Sequence, residues 1–310
     1  MSGKSRLHFI AGKGGVGRTT IAAALAQALA QALAQAAPPS RPRVLVVEMD
    51  EATTRAVGEH PALAATLGRG EALPPEPVRL SAHLDAARLC SMTGHEAFLK
   101  GHLPGGALIA AALRSKAVRR FLESGPSFHE LGQIAHLAHL AHSGHYAHIV
   151  VDLPATGHAL GLARLPESMR RIISAGPVAR ALDQCTLTLR DPRRTTAWIV
   201  ALPELLPVSE TLELVEALER EGLPPPRVLL NRWPADPFSG DEALREAAAA
   251  FFDAHGPVGG SVAFGRLREA IEARARLPAA RIAATLPHLA GRETRVLVDA
   301  LATSLVGVAL

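Results

Sequence analysis

The 310-residue chain is poor in the residues that mark several common protein classes. Its two cysteines, Cys90 and Cys185, cannot build a disulfide framework or, by themselves, a four-cysteine zinc site. Aromatic residues make up 4%, charged residues 20%, and the net charge of +4 is too small to require a nucleic-acid partner. The 48% hydrophobic content predicts a folded globular chain, and scarce cysteine favours a reducing, cytoplasmic setting.

Long hydrophobic runs are also scarce. The first apolar run, Leu7 to Ala11, is too short for a signal peptide, so no targeting segment is expected. The longest run, Ile21 to Ala37, is interrupted by Gln27, Gln31 and Gln35, whose spacing places three amides on one helical face. This pattern predicts a soluble helix rather than a membrane span.

Short β-type runs alternate with longer helical segments along the chain. Such alternation predicts an α/β fold with a mostly parallel, doubly wound sheet. The predicted strands are Leu7 to Ala11, Arg43 to Val47, His148 to Asp152, Thr186 to Leu189, Thr196 to Ala201, Arg227 to Leu230 and Arg281 to Thr285.

A long gap separates the second and third predicted strands. It spans roughly a hundred residues, far more than an ordinary crossover. Helical periodicity over Leu84 to Leu103, Ala107 to Leu122 and Phe128 to His142 predicts a helical insertion at about 84–145. No linker divides the chain, so residues 1–310 are expected to form one domain that carries this insertion.

A glycine-rich loop follows the first predicted strand and leads directly into a helical run. Its residues are Gly12, Lys13, Gly14, Gly15, Val16, Gly17, Arg18, Thr19 and Thr20. Glycines in this context let backbone N–H groups wrap a phosphate, and the helix N-terminus adds partial positive charge. Thr19 stands where a hydroxyl would bind Mg²⁺. The segment predicts a P-loop; the alternative is a glycine-rich turn without a ligand.

Two positions refine this prediction. Lys13 marks the deviant form of the motif, in which an additional lysine reaches the phosphates of a facing subunit, so a dimer is implied. Arg18 stands where the usual pattern has lysine, and its guanidinium is a planar fork rather than a compact ammonium. We expect this replacement to preserve phosphate binding and to affect mainly the positioning of the transition state.

Three further segments resemble the ArsA family of ATPases, which includes arsenical-pump ATPases and the ATPases that target tail-anchored membrane proteins. Val150 to His158 resembles the family segment D-T-A-P-T-G-H, and Leu202 to Thr211 is similar to I-P-E-x-L-S-x-x-E-T. Asn231 matches the family's adenine-contacting asparagine. The resemblance runs from Leu7 to about Trp233.

The resemblance implies a P-loop NTPase that binds ATP and Mg²⁺ and closes as a dimer. Asp152 would hold a magnesium-bound water with Thr19, and Asp50 would orient the attacking water. Asn231 would read adenine, and the segment at Gly157 and His158 would move when the γ-phosphate leaves.

The chain also departs from the family pattern. The family's D-P-A-H-S becomes Asp50-Glu51-Ala52-Thr53-Thr54, so the hydrolysis rate is less secure than nucleotide binding. Glu48 is an alternative base or a buried structural carboxylate. Two cysteines without a C-x-x-C pair predict neither an arsenite nor a zinc site.

Two residue series resemble binding sites for which we do not expect a ligand. Histidines recur every third residue, at His136, His139, His142, His145 and His148. This spacing drifts around a 3.6-residue helix and lacks a carboxylate, so metal binding is not expected. The arginine-rich segments Arg164 to Arg171 and Arg190 to Arg194 lack interleaved aromatic residues, and solvated loops near the nucleotide are predicted.

The sequence is consistent with three functions. The first is a cytoplasmic, dimeric, Mg²⁺-dependent ATPase that couples closure to a protein cargo or membrane partner. The second is a weakly active subunit that binds nucleotide and pairs with a competent paralogous ATPase. The third is a MinD/ParA-like positioning ATPase, which would need a basic C-terminal helix, whereas Val296 to Leu310 contains no lysine or arginine.

Overall fold

A computed structural model describes residues 5–36, 43–49, 62–102, 115–116, 126–154, 157–256 and 259–309. In chain order its elements are β1 (Arg6–Gly12), α1 (Arg18–Ala36), β2 (Arg43–Met49), α2 (Ala62–Thr66), β3 (Val78–Arg79), β4 (Leu84–Leu89), α3 (Ser91–His102), α4 (Pro126–His142), β5 (Tyr146–Asp152), α5 (Gly157–Ile172), α6 (Gly176–Arg190), β6 (Thr195–Ala201), α7 (Leu205–Arg220), β7 (Arg227–Trp233), α8 (Glu242–His255), α9 (Ser261–Ala275), β8 (Ile282–Pro287) and α10 (Thr294–Ala309).

Within the described residues, the strands form one eight-stranded sheet in the order β3-β4-β2-β5-β1-β6-β7-β8. All neighbouring pairs are parallel except β3 and β4, which are antiparallel. The predicted α/β class with a mostly parallel sheet is confirmed. The chain moves to one side of β1 for β2 to β4 and to the other side for β6 to β8, so β1 lies at a topological switch point.

Two secondary-structure predictions were wrong. Leu84–Leu89 is a buried strand rather than the start of a helix, because it pairs with β2 along its whole length. Thr186 to Leu189 is part of α6, where its β-branched and apolar residues continue a helical stripe that buries Leu182 and Leu189. A short apolar run does not distinguish a strand from a buried helix.

The strands alternate their side chains between two helical layers. Ile10, Val46, Val150, Val200 and Leu229 face the layer that contains α1 and α10. The opposite face packs against α4 to α7 and α9. Both faces of the sheet are therefore buried, which explains the nearly continuous apolar sequence of the central strands.

Helix α1 lies in the middle of one layer. Ten of its residues, between Ile21 and Ala32, are buried, and it packs against α10. Gln27 of the predicted polar stripe donates a 2.6 Å hydrogen bond from Nε2 to Asp299 Oδ1. In the part of the chain that the structure describes, no helix has both the length and the apolar character needed to cross a membrane.

The region predicted as a helical insertion is described only in part. Helices α3 and α4 cross very closely, since a Cβ at Gly94 would lie 1.8 Å from the carbonyl oxygen of Gly132. The helix predicted over Ala107 to Leu122 lies outside the described residues, apart from positions 115–116.

The prediction of solvated loops was wrong for Arg164 to Arg171, which is helical, whereas residues 191–194 form a turn before β6. Arg164 to Arg171 lies within α5, and Arg190 ends α6. Their guanidinium groups pair with nearby carboxylates of the same chain: Arg164 with Glu221, Arg170 with Asp183, and Arg190 with Glu167.

Three hydrogen-bonded rings lie next to one another on the face of the sheet that packs against α1. Trp198 Nε1–H donates to His8 Nδ1 over 3.2 Å, and His8 Nε2 lies 3.0 Å from His148 Nδ1. Because Nδ1 of His8 accepts, its proton resides on Nε2 and points at His148. Burial lowers the pKa of His8 to about 3 and that of His148 to about 4, with Arg6 opposing protonation of both rings.

We therefore expect acid to destabilise the protein through these rings. The unfolded chain protonates His8 near pH 6.5 but the folded chain does not, so the neutral ring contributes stability that is lost as pH falls below 6.5. For His8 the loss between pH 6.5 and 5 is about 2 kcal/mol. His8→Asn keeps an acceptor for Trp198 and should show a flatter decline of unfolding temperature from pH 7.5 to 5. His142→Asn, at an exposed position, should keep the wild-type slope; parallel curves for all three proteins would contradict the assignment.

Candidate functional site

The glycine-rich loop joins the carboxyl end of β1 to α1, as predicted. A Cβ at Gly12 would lie 2.5 Å from the carbonyl oxygen of Val200 on β6, so only glycine allows this approach. Gly17 has a φ of 92°, and its carbonyl accepts from Ile21 N–H at 3.0 Å, the first bond of α1. The side chain of Val16 is buried in the core, whereas Gly14 and Gly15 form an exposed tip. The loop therefore presents its backbone at a helix N-terminus, which suits an anion.

Lys13 lies on this exposed tip and forms an ion pair with Glu210 of α7. The lysine side chain is 53% exposed and that of Glu210 is 33% exposed, so the ammonium remains accessible from outside. The sequence placed Glu210 in a family-like segment without assigning it a partner. Only the fold brings α7 beside the loop.

Arg18 begins α1, and its guanidinium points across the site. Nη1 donates a 2.5 Å hydrogen bond to the carbonyl oxygen of Leu153, which follows β5 directly. The positive charge also stabilises the ionised form of Asp152. The residue that replaces the usual lysine thus links the loop to the segment after β5, a contact that the sequence did not reveal.

Asp152 ends β5 and is buried beside the first turn of α1. Burial raises the pKa of its carboxyl group to about 7; the hydrogen bond from Thr19 and the charge of Arg18 oppose this rise, and Glu48 adds to it. Glu48 is the register partner of Asp152 on β2 and is also buried. Two carboxylates and one hydroxyl therefore converge, although the sequence singled out only Asp152 and Thr19 for metal binding.

This arrangement fits a hard divalent cation. Oδ1 of Asp152 is buried and has no hydrogen-bond partner within the described residues, so a ligand for this oxygen is missing. Mg²⁺ prefers carboxylate, hydroxyl and phosphate oxygens, and Thr19 lies between Asp152 and the loop. When bound, the ion would neutralise charge on phosphate oxygens.

Asn231 lies at the carboxyl end of β7, on the face that carries α1. It is 5% exposed, and Nδ2 donates a 2.8 Å hydrogen bond to the carbonyl oxygen of Val16 in the loop. The sequence assigned this residue to the adenine ring. The structure places its amide on the phosphate loop.

Some of the other predicted site residues lie outside the described part of the chain, and others lie in the first turn of a helix. Asp50 and the altered segment to Thr54 follow β2 but are not among the described residues, and the same holds for Ala155 and Thr156. Gly157, predicted to belong to a mobile segment, is the first residue of α5. Thr20 lies half-buried in the first turn of α1.

The histidine series is divided among separate environments. His136 lies on α4, and its Nδ1 accepts from Cys90 N–H at 3.1 Å, whereas His148 faces His8. Burial lowers the pKa of His136 to about 4. Across the described ranges, no group of three or more His, Cys, Asp or Glu side chains is arranged to hold a metal ion.

Fold and loop together define the class of protein. A mostly parallel sheet with helices on both faces and a glycine-rich loop between β1 and α1 is the arrangement of a P-loop NTPase. The site lies at the carboxyl edge of the strands, beside the switch point at β1.

Comparison with known proteins shows which ATPases the chain resembles. The family model described as anion-transporting ATPase, of the ArsA type, matches residues 5–54 and 99–178. The chain is 29% identical over 247 residues to "ATPase BagA" of Mycobacterium tuberculosis strain H37Rv and to "Putative ATPase Mb3704" of Mycobacterium bovis. Each match covers 73% of this chain and 65% of the relative, so less than two thirds of each relative's length is represented. The chain is therefore similar to ATPases of the ArsA type over part of its length.

Replacing the buried carboxylate tests the cation site. Asp152→Asn removes the cost of burying an ionised carboxylate. At pH 8 without Mg²⁺ the variant should therefore unfold at a higher temperature than wild type. This gain should shrink from pH 7 towards pH 4, because wild-type Asp152 then folds in its neutral form. Adding Mg²⁺ to a nucleotide-containing sample should raise the unfolding temperature of wild type further but not that of the variant.

The matched control is Asp183→Asn, which removes a half-exposed carboxylate on α6. It should keep the wild-type response to Mg²⁺ and gain nothing at pH 8. An equal Mg²⁺ response in Asp152→Asn would exclude Asp152 as a ligand.

Proposed function

We propose that the chain is a Mg²⁺-dependent ATPase of the ArsA type that closes as a dimer around ATP. The observation that supports this most strongly is the convergence of the loop, Thr19 and the unpartnered buried Oδ1 of Asp152 at the N-terminus of α1. The family match and the ATPase names of the relatives agree with it.

Several of the predicted site residues have roles in this proposal. The backbone from Gly14 to Thr19 holds the phosphates, while Thr19 and Asp152 hold Mg²⁺. Asp50 orients the attacking water. Burial, with a smaller contribution from the charge of Glu48, raises the pKa of Asp152, so a bound cation would stabilise the ionised carboxylate.

Lys13 is proposed to act across the dimer, as the deviant loop implies. Its ammonium is accessible on the loop tip and its ion pair with Glu210 is partly exposed, so exchanging this partner for a phosphate costs little. A facing subunit could therefore draw Lys13 away from Glu210 when both loops hold ATP.

Phosphate release measured over a range of protein concentrations tests the dimer. With Mg²⁺-ATP, specific activity should rise with concentration, because the site is complete only when two chains meet. Lys13→Ala should lower turnover about 100-fold or more, the usual effect of removing one transition-state charge.

Lys100→Ala is the matched control, since it also removes an exposed, ion-paired lysine, here on α3. It should behave as wild type. Specific activity independent of concentration, with Lys13→Ala fully active, would refute the dimeric mechanism.

A second candidate function follows from Arg18. Its guanidinium donates from Nη1 to the carbonyl oxygen of Leu153, and this bond holds it towards the segment after β5. This geometry favours a subunit that binds nucleotide but hydrolyses it slowly until a competent paralogous ATPase pairs with it.

Restoring lysine separates the two functions. Arg18→Lys should raise turnover of the isolated chain sharply, about 10-fold or more, if the chain is a weakly active subunit. It should change turnover by less than about 3-fold if Arg18 already serves a competent homodimer. Phosphate release at saturating Mg²⁺-ATP distinguishes the outcomes, and ATP affinity measured alongside excludes a simple binding defect.

The remaining functional assignments are broader. We propose that residues 1–310 act as one ATPase domain in the cytoplasm, and that the region at 84–145 contacts a protein cargo or membrane partner. A MinD/ParA-like role is the least favoured, because α10 buries Val298, Leu301 and Leu305 against α1 instead of presenting a basic amphipathic face.

A further inference from the structure

Asn231 makes a contact that adenine recognition does not explain. Its Nδ2 donates to the carbonyl oxygen of Val16, the residue that precedes the helix-starting Gly17. The orientation of the amide is fixed by its partner, because a carbonyl oxygen accepts and only the NH₂ end can donate. The bond joins residues 215 positions apart and is buried.

The amide of Asn231 also lies directly against Gly17. A Cβ at Gly17 would lie 2.6 Å from Asn231 Nδ2, so the amide fills the space beside the glycine. Gly17 in turn supplies the carbonyl that accepts the first hydrogen bond of α1, from Ile21. The amide therefore fixes the peptide at which the loop becomes a helix.

The position of Asn231 in the sheet makes this contact a bridge. Strand β7 pairs with β6, and β6 pairs with β1, so β7 is not a neighbour of the strand that leads into the loop. Asn231 reaches past the end of β6 and holds the loop from two strands away. Without it, the carbonyl of Val16 would be buried without a partner or would turn, taking the adjoining N–H groups with it.

We propose that Asn231 is a positioning residue for the phosphate loop: it holds the Val16–Gly17 peptide so that the loop amides and the α1 N-terminus face the phosphates. This inference rests on the proposed nucleotide function but differs from it. Loss of a residue that contacts adenine should weaken the binding of ATP alone. Loss of a residue that holds the loop should weaken the binding of every ligand with a phosphate chain.

Two variants remove the donor without adding charge. Asn231→Leu keeps the branched shape, and Asn231→Ala is a smaller second choice should the leucine variant fold poorly. Dissociation constants are measured for Mg²⁺-ATP, Mg²⁺-GTP and inorganic tripolyphosphate. All three should weaken by a similar factor, about 5- to 30-fold, the usual consequence of losing one buried hydrogen bond.

Hydrogen exchange provides a reading that needs no ligand. In both variants the amides at positions 17–21 should exchange faster, while those of the neighbouring strand β6 keep the wild-type rate. A purely structural role in β7 would instead accelerate exchange across the sheet and lower the unfolding temperature without a local signature.

The outcomes separate this inference from the proposed function. Weaker ATP binding with unchanged tripolyphosphate binding, or unchanged exchange at positions 17–21, would overturn the positioning role. If wild type bound none of the three ligands, the nucleotide function would fail, and the exchange experiment would still decide whether Asn231 holds the loop.

Discussion

The site depends on the close approach of the loop backbone to strands on one side of β1. Gly12 touches the end of β6, and Gly17 lies against the amide of Asn231 on β7. These contacts leave no room for a side chain at Gly12 or Gly17 and set the direction in which α1 begins. The anion-binding character of the helix N-terminus is useful only because this direction is fixed.

On the other side of β1, charge rather than steric fit organises the site. Asp152 and Glu48 are buried on adjacent strands, and desolvation, together with the charge of Glu48, disfavours the ionised form of Asp152. Arg18 and Thr19 of α1 partly offset this cost. A cation would offset the rest, so the same helix start that suits phosphate also adjoins a place that suits Mg²⁺.

Much of this could be predicted from the sequence, because local patterns carry it. Strand and loop residues such as Leu7 to Gly17 follow one another in the chain, and their order alone predicted the β1–loop–α1 unit. The errors at Leu84–Leu89 and Thr186 to Leu189 arose where short apolar runs fit either a strand or a buried helix. Pairing with β2 decided the first and burial within α6 the second, and neither is a local property.

The sequence by itself determined the class of fold and the loop, and it predicted Asp152, Thr19 and Asn231 as candidate site residues. Only the tertiary structure decided what each contacts. It paired Lys13 with Glu210, turned Arg18 to the carbonyl of Leu153, and set Asn231 on Val16. The reason is geometric. Parallel strands bring their carboxyl ends to one edge of the sheet, and the order of the strands in the sheet decides which distant residues become neighbours there.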